Sequence, residues 1–128
     1  MSTEELWRFL PIGYLITILI EAPILFLGLP RCFPRWQRIV AGVWLTACTY
    51  PIVVLALPLL MAEAPRAQYL LVAEVFAPLA ECVLFRLAFG HREGIGALAF
   101  RRSYAVIVVA NLASFGLGEI VNAYGWLG

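Results

Sequence analysis

Residues 9–29 read FLPIGYLITILIEAPILFLGL, an apolar run whose only charged residue is Glu21. At 1.5 Å per residue this stretch is long enough to cross a hydrocarbon core of about 30 Å. A carboxylate in hydrocarbon costs several kcal/mol unless it is protonated, paired or hydrated, so Glu21 marks a polar interior and a candidate site. The same pattern recurs along the chain. Glu74, Glu81 and Glu119 are each flanked by long apolar runs, and no lysine or arginine lies among them.

Outward from that first run, three more apolar segments stand out, at about 39–61, 67–89 and 103–127. The connections are short: RCFPRWQR (31–38), AEAPR (62–66) and residues 90–102. Short connections place successive helices side by side and antiparallel. The expected fold is therefore all-α, a single integral membrane domain over residues 1–128 with four transmembrane helices in an up-down-up-down bundle. Ile95–Phe100, apolar within the last connection, is expected to lie flat at the interface.

Composition supports a bilayer as the solvent. The 128 residues are 63% hydrophobic and 13% charged, and mean hydropathy is +0.92. A soluble domain carries about 25% charged residues, so this chain could not clothe its apolar surface in water. The net charge of +1 gives no reason to expect nucleic acid or an acidic substrate. Cys32, Cys48 and Cys82 are too scattered for a disulfide framework, and no Cys/His spacing suggests zinc. The first ten residues carry Glu4 and Glu5 in place of a basic n-region, which argues against a cleavable signal.

Arginine placement predicts orientation. Arg31, Arg35, Arg38, Arg86, Arg92, Arg101 and Arg102 fall on one side of the segments, against Arg8 and Arg66 on the other. The positive-inside bias then puts both termini on the non-cytoplasmic side, with the bacterial inner membrane as the expected location. Lipid is the first partner. A homo-oligomer or other membrane subunits are the expected protein partners.

Helical spacing says where the polar groups point. Glu74 and Glu81 are seven apart and share one face, with Pro78 between them. Tyr14, Thr17 and Glu21 align on the first segment; Gly42, Thr46 and Thr49 align on the second. Asn111, Ser114, Gly118 and Asn122 form a stripe on the fourth, with Glu119 on its flank. Ala110, Ser114 and Gly118 also make a small-xxx-small stripe that predicts close helix packing, as does Gly42. Four such faces meeting at the bundle axis keep polar groups away from lipid. Pro23, Pro51, Pro58 and Pro78 each free a carbonyl one turn earlier and bend a helix, which helps packing or widens a polar cavity.

Depth sorts these residues into two layers. Glu21, Glu81, Asn111, Thr46 and Thr49 fall roughly 2–6 Å to the cytoplasmic side of the midplane, and Tyr14, Glu74 and Glu119 about 6–8 Å to the other. Carboxyls paired in a low dielectric share a proton or hold a cation. Three functions fit. The layers are stations for protons or a hard cation, with Glu21, Glu81 and Asn111 the metal-site candidates, in a transport or ion-conducting component. Alternatively they are interhelical hydrogen-bond glue in a structural or assembly subunit. The third is a membrane enzyme on a lipid-linked substrate, with glutamate as base and Arg35, Arg38, Arg101 or Arg102 on phosphate. No catalytic residue and no cofactor beyond a possible hard cation is expected, and the chain is more readily a non-enzyme than an enzyme.

Overall fold

The computed structural model describes residues 3–90 and 96–123, and it is all-helical there with no strand. Four helices follow one another: α1 (Thr3–Gly28), α2 (Arg35–Leu60), α3 (Arg66–Phe89) and α4 (Ala97–Ala123). Leu10–Gly28, Arg35–Leu60 and Ala97–Leu117 are long and apolar enough to cross a membrane. These three helices mark a membrane protein. α3, with Glu74 and Glu81 in its 24 residues, is not among them. Apolar side chains such as Leu19, Leu27, Leu60, Leu71 and Leu87 stand exposed on the outside, as lipid-facing positions do.

The helices extend beyond the apolar segments at their starts, because polar first turns continue the same backbone ladder. At α4 the added first turn, Ala97–Phe100, is apolar. It was expected to lie at the interface, but it opens α4 and buries Phe100. The reason is aromatic partnership: Phe100 lies 6.3 Å from Phe33, and the Arg86 guanidinium sits 3.8 Å above its ring. Ile95, Arg92, Asn122, the packing of Gly118 and residues 124–127 of the fourth expected segment lie outside the described residues.

Contacts along the seams fix which ends meet. Between α1 and α2, Phe26 meets Arg38, Ala22 meets Gly42 and Tyr14 meets Tyr50. Between α1 and α4, Gly28 meets Arg102 and Val106, while Glu21 meets Ser114. Between α3 and α4, Arg86 meets Phe100 and Arg66 meets Glu119. Numbers fall on one helix as they rise on its neighbour. Gly42 lets two helix backbones approach closely, since a Cβ there would come to 2.9 Å from the Ala22 Cα.

One end of the bundle is a packed block. Leu25, Leu29, Leu45, Phe85 and Ile107 are buried around Phe33, which comes from the connection between α1 and α2. Phe33 meets Phe85 edge-on at 5.2 Å, and Phe85 meets Phe89 at 5.1 Å. Each such pair contributes about 0.5–1.5 kcal/mol beyond area burial. Two arginines finish this end. The Phe26 carbonyl would take its helical hydrogen bond from residue 30, but Pro30 has no N–H, and Arg38 Nη1 donates instead at 2.7 Å. Arg102 Nε donates to the Gly28 carbonyl at 3.1 Å. Both cations thus sit at the negative end of the α1 dipole.

Proline also shapes α2. Residues Ile52–Ala56 form a π-helical turn, and the Leu57 N–H reaches back five residues to the Ile52 carbonyl. The next donor in that register would come from Pro58, which has none, so the Val53 carbonyl is left over. Tyr69 of α3 supplies it, its hydroxyl donating at 2.7 Å. A sequence irregularity in one helix is thereby converted into a link to another.

Candidate functional site

On every helix, polar residues lie beyond the packed block, toward the end that holds Met61 and Arg66. Together with a few apolar neighbours they line a half-open cavity of about 150 Å³ to which all four helices contribute. α1 supplies Thr17 and Glu21; α2 supplies Thr46, Thr49, Tyr50 and Val53. α3 adds Glu74 and Ala77, and α4 adds Asn111, Ser114 and Phe115. Such a space has room for several water molecules.

Hydrogen bonding decides what this wall offers. The hydroxyls of Thr17, Thr46 and Thr49 donate to the carbonyls of Gly13, Gly42 and Leu45, each one turn back on the same helix, at 2.8–3.1 Å. A threonine bonded in this way presents only lone pairs to its other neighbours. Asn111 Nδ2 donates to the Ile107 carbonyl at 2.9 Å. Ser114 Oγ lies 2.8 Å from Glu21 Oε2 and donates to it, tying α4 to α1. Glu21 is 3% exposed, yet its Oε1 has no hydrogen-bond partner, and neither does the Tyr50 hydroxyl. The wall is rich in acceptors and poor in donors.

The four embedded glutamates divide. Glu21 and Glu74 both line the cavity and lie within electrostatic range of each other. Glu81, 1% exposed, sits beside it, within range of Glu21 and within hydrogen-bonding reach of Asn111; its Oε1 is unpartnered. Glu119 is engaged elsewhere, ion-paired with Arg66 at 2.7 Å near the surface while still within range of Glu74. Tyr14 donates to the Val43 carbonyl at 3.1 Å. Among the described residues, Glu81, Glu119 and Tyr14 are not in the cavity wall.

The expected layers are therefore regrouped. Thr46, Thr49, Glu21 and Asn111 of the inner layer come together, but their carboxylate companion in the wall is Glu74 of the outer layer. The nominal depths of Glu21 and Glu74 differ by roughly 8 Å or more, at least a turn and a half, so one wall spans both layers. Ala110 is fully buried and Ser114 bonds Glu21, while Gly42 makes the close approach to α1. The arginines enlisted for a phosphate, among them Arg38 and Arg102, belong to the opposite end, where those two are held by α1 carbonyls. Among the described residues no three His, Cys, Asp or Glu side chains gather closely enough to hold a metal ion.

Sequence reasoning passed over four wall residues. Tyr50 had a signal, since it stands immediately before Pro51 at the end of the Thr46/Thr49 face. Val53, Ala77 and Phe115 had none, because an apolar residue in an apolar segment reads as lipid-facing or core. The chain matches no protein-family model, no curated protein and no solved structure.

Proposed function

We propose that this chain is a small cation- or proton-linked transport component whose four helices cross the bilayer up-down-up-down, with both termini on the non-cytoplasmic side. α3 would cross with its carboxyls turned to the bundle axis, which is how an intramembrane glutamate escapes lipid. The observation that carries the reading is a cavity wall that holds Glu21 and Glu74, with a buried, unpartnered Oε1 on Glu21, and in which acceptors outnumber the donors left on Tyr50 and Asn111. Carboxyls and acceptors in excess of donors are matched by a cation or by added protons better than by an anion. A second reading keeps some support. Ser114–Glu21 and Arg66–Glu119 each join two helices, as hydrogen-bond glue in an assembly subunit would.

Reconstitution into vesicles separates the two. Glutamine keeps the hydrogen-bonding shape of a neutral glutamate but cannot ionise. Glu21→Gln is expected to purify as a folded protein with wild-type helicity and to lose at least nine-tenths of proton or cation flux. A Glu21→Gln protein with wild-type flux would leave only the glue reading. Wild-type protein that moves no cation, but co-purifies stoichiometrically with larger membrane proteins, would do the same.

A further inference from the structure

We infer that the cavity takes a small organic ammonium, a cation that brings its own N–H donors and a short apolar part, rather than a dehydrated metal ion. This rests on the cation reading above and narrows it to a ligand class.

Donor bookkeeping comes first. Thr17, Thr46 and Thr49 have spent their hydroxyl hydrogens on backbone carbonyls, and Ser114 lies against Glu21 Oε2. What remains in the wall is mostly lone pairs, with the Tyr50 hydroxyl and the second Asn111 N–H as the donors left, and the wall residue Glu21, 3% exposed, keeps an unpartnered Oε1. A ligand with several N–H groups can satisfy several of these at once. A quaternary ammonium of equal charge satisfies none and leaves every acceptor unmatched.

Size and shape come second. A hard metal ion draws six to eight oxygens to about 2.3–2.6 Å, or holds its waters. Here the cavity is about 150 Å³, and no three acidic, histidine or cysteine side chains among the described residues close around a point. Third, Val53, Ala77 and Phe115 give the same cavity an apolar side, and the Tyr50 ring adds an aromatic one. A bare ion or a proton gains nothing from them. An alkyl group beside a charged nitrogen does, through burial and through attraction to a ring face.

The test uses full-length protein in a zwitterionic detergent at neutral pH. Thermal unfolding is followed in ethylammonium, tetramethylammonium and sodium chlorides at equal ionic strength. Ethylammonium is expected to raise Tm by on the order of 3 °C at ten times its half-saturating concentration. Tetramethylammonium and sodium should give less than a third of that shift, and Glu21→Gln should abolish it. Should Glu21→Gln fail to fold, Thr49→Val should still raise the half-saturating ethylammonium concentration about ten-fold. Equal shifts from ethylammonium and tetramethylammonium would overturn the inference, as would an ethylammonium shift that survives Glu21→Gln. A shift with sodium alone would overturn it while leaving the cation reading standing. No shift with any salt would also overturn it, and vesicle flux would then decide whether the proton reading survives.

Discussion

The same four helices behave as two materials along their length. Toward the arginine-rich end, Leu25, Leu29, Phe33, Phe85 and Ile107 are at most 1% exposed and pack ring against ring. Toward the other end the helices line a cavity whose wall residues include one with an unpartnered carboxylate oxygen and one with an unpartnered phenol. In the first half Arg38 donates the hydrogen bond that Pro30 cannot make, though Gln37 Oε1 and Arg38 Nε are buried there without a partner. The second half differs in leaving space beside its unmatched polar groups. Departures of this kind are tolerated at functional sites and are offset by packing elsewhere. On the proposed reading, stability and function are separated along the bundle axis.

The largest expected effect attacks the packed half. Phe85→Ala removes a ring that touches both Phe33 and Phe89 and opens a cavity where the helices converge. A cost of about 3–5 kcal/mol is expected, read as a large fall in Tm or in the denaturant midpoint in detergent. A cost below about 1.5 kcal/mol would break the comparison, since the packed end would then not be what holds the bundle together.

A middle-sized effect is expected at the boundary between the halves. Gly42 lies where α2 crosses α1, and a Cβ there would meet the Ala22 Cα at 2.9 Å and its Cβ at 3.0 Å. Backbone cannot swing aside as a side-chain tip can, so the two helices must part. Gly42→Ala is expected to cost about 1–3 kcal/mol. Gly116→Ala is the matched control, because a Cβ there meets nothing within 4 Å. It should be neutral or slightly stabilising, by up to about 1 kcal/mol. Equal losses at both glycines would mean that helix contact at Gly42 carries no special weight.

The helices were largely legible in the sequence, the cavity only in outline, and the aromatic block around Phe33 not at all. Apolar run length and short connections located the helices to within a few residues at most ends, because both follow from the thickness of a bilayer. Periodicity put Thr46 with Thr49 and Asn111 with Ser114, since residues three or four apart must share a face. Three things were out of reach. Which carboxyls share a wall does not follow from nominal depth, since one wall spans both layers and holds Glu21 with Glu74. The π turn at Ile52–Ala56 shifts the register of α2 and is announced only by Pro51 and Pro58, which had a packing explanation as well. The roles of Arg38 and Arg102 were hidden behind topology, because capping the end of α1 needs a partner distant in sequence.

The smallest effect on stability is expected inside the cavity, and it sharpens the comparison most. Thr49→Val keeps the volume and branching of the side chain and exchanges one hydroxyl for a methyl. The lost bond is the one from Thr49 Oγ1 to the Leu45 carbonyl, and that carbonyl remains satisfied by the Thr49 N–H in the helical ladder. Back-bonding of this type slightly destabilises a helix in any case. The fold should therefore change by no more than about 0.5 kcal/mol in either direction. What disappears is a lone pair facing the cavity, and one hydrogen bond to a charged ligand is worth about 1.5–3 kcal/mol, or roughly 10–100-fold in affinity. Ethylammonium titrations followed by Tm would read both quantities on the same sample. Unchanged stability with a ten-fold weaker response places Thr49 in a ligand-binding half that contributes little to folding. A loss above about 1.5 kcal/mol would show instead that the cavity half is as structural as the aromatic end, and an unchanged response would remove Thr49 from the site.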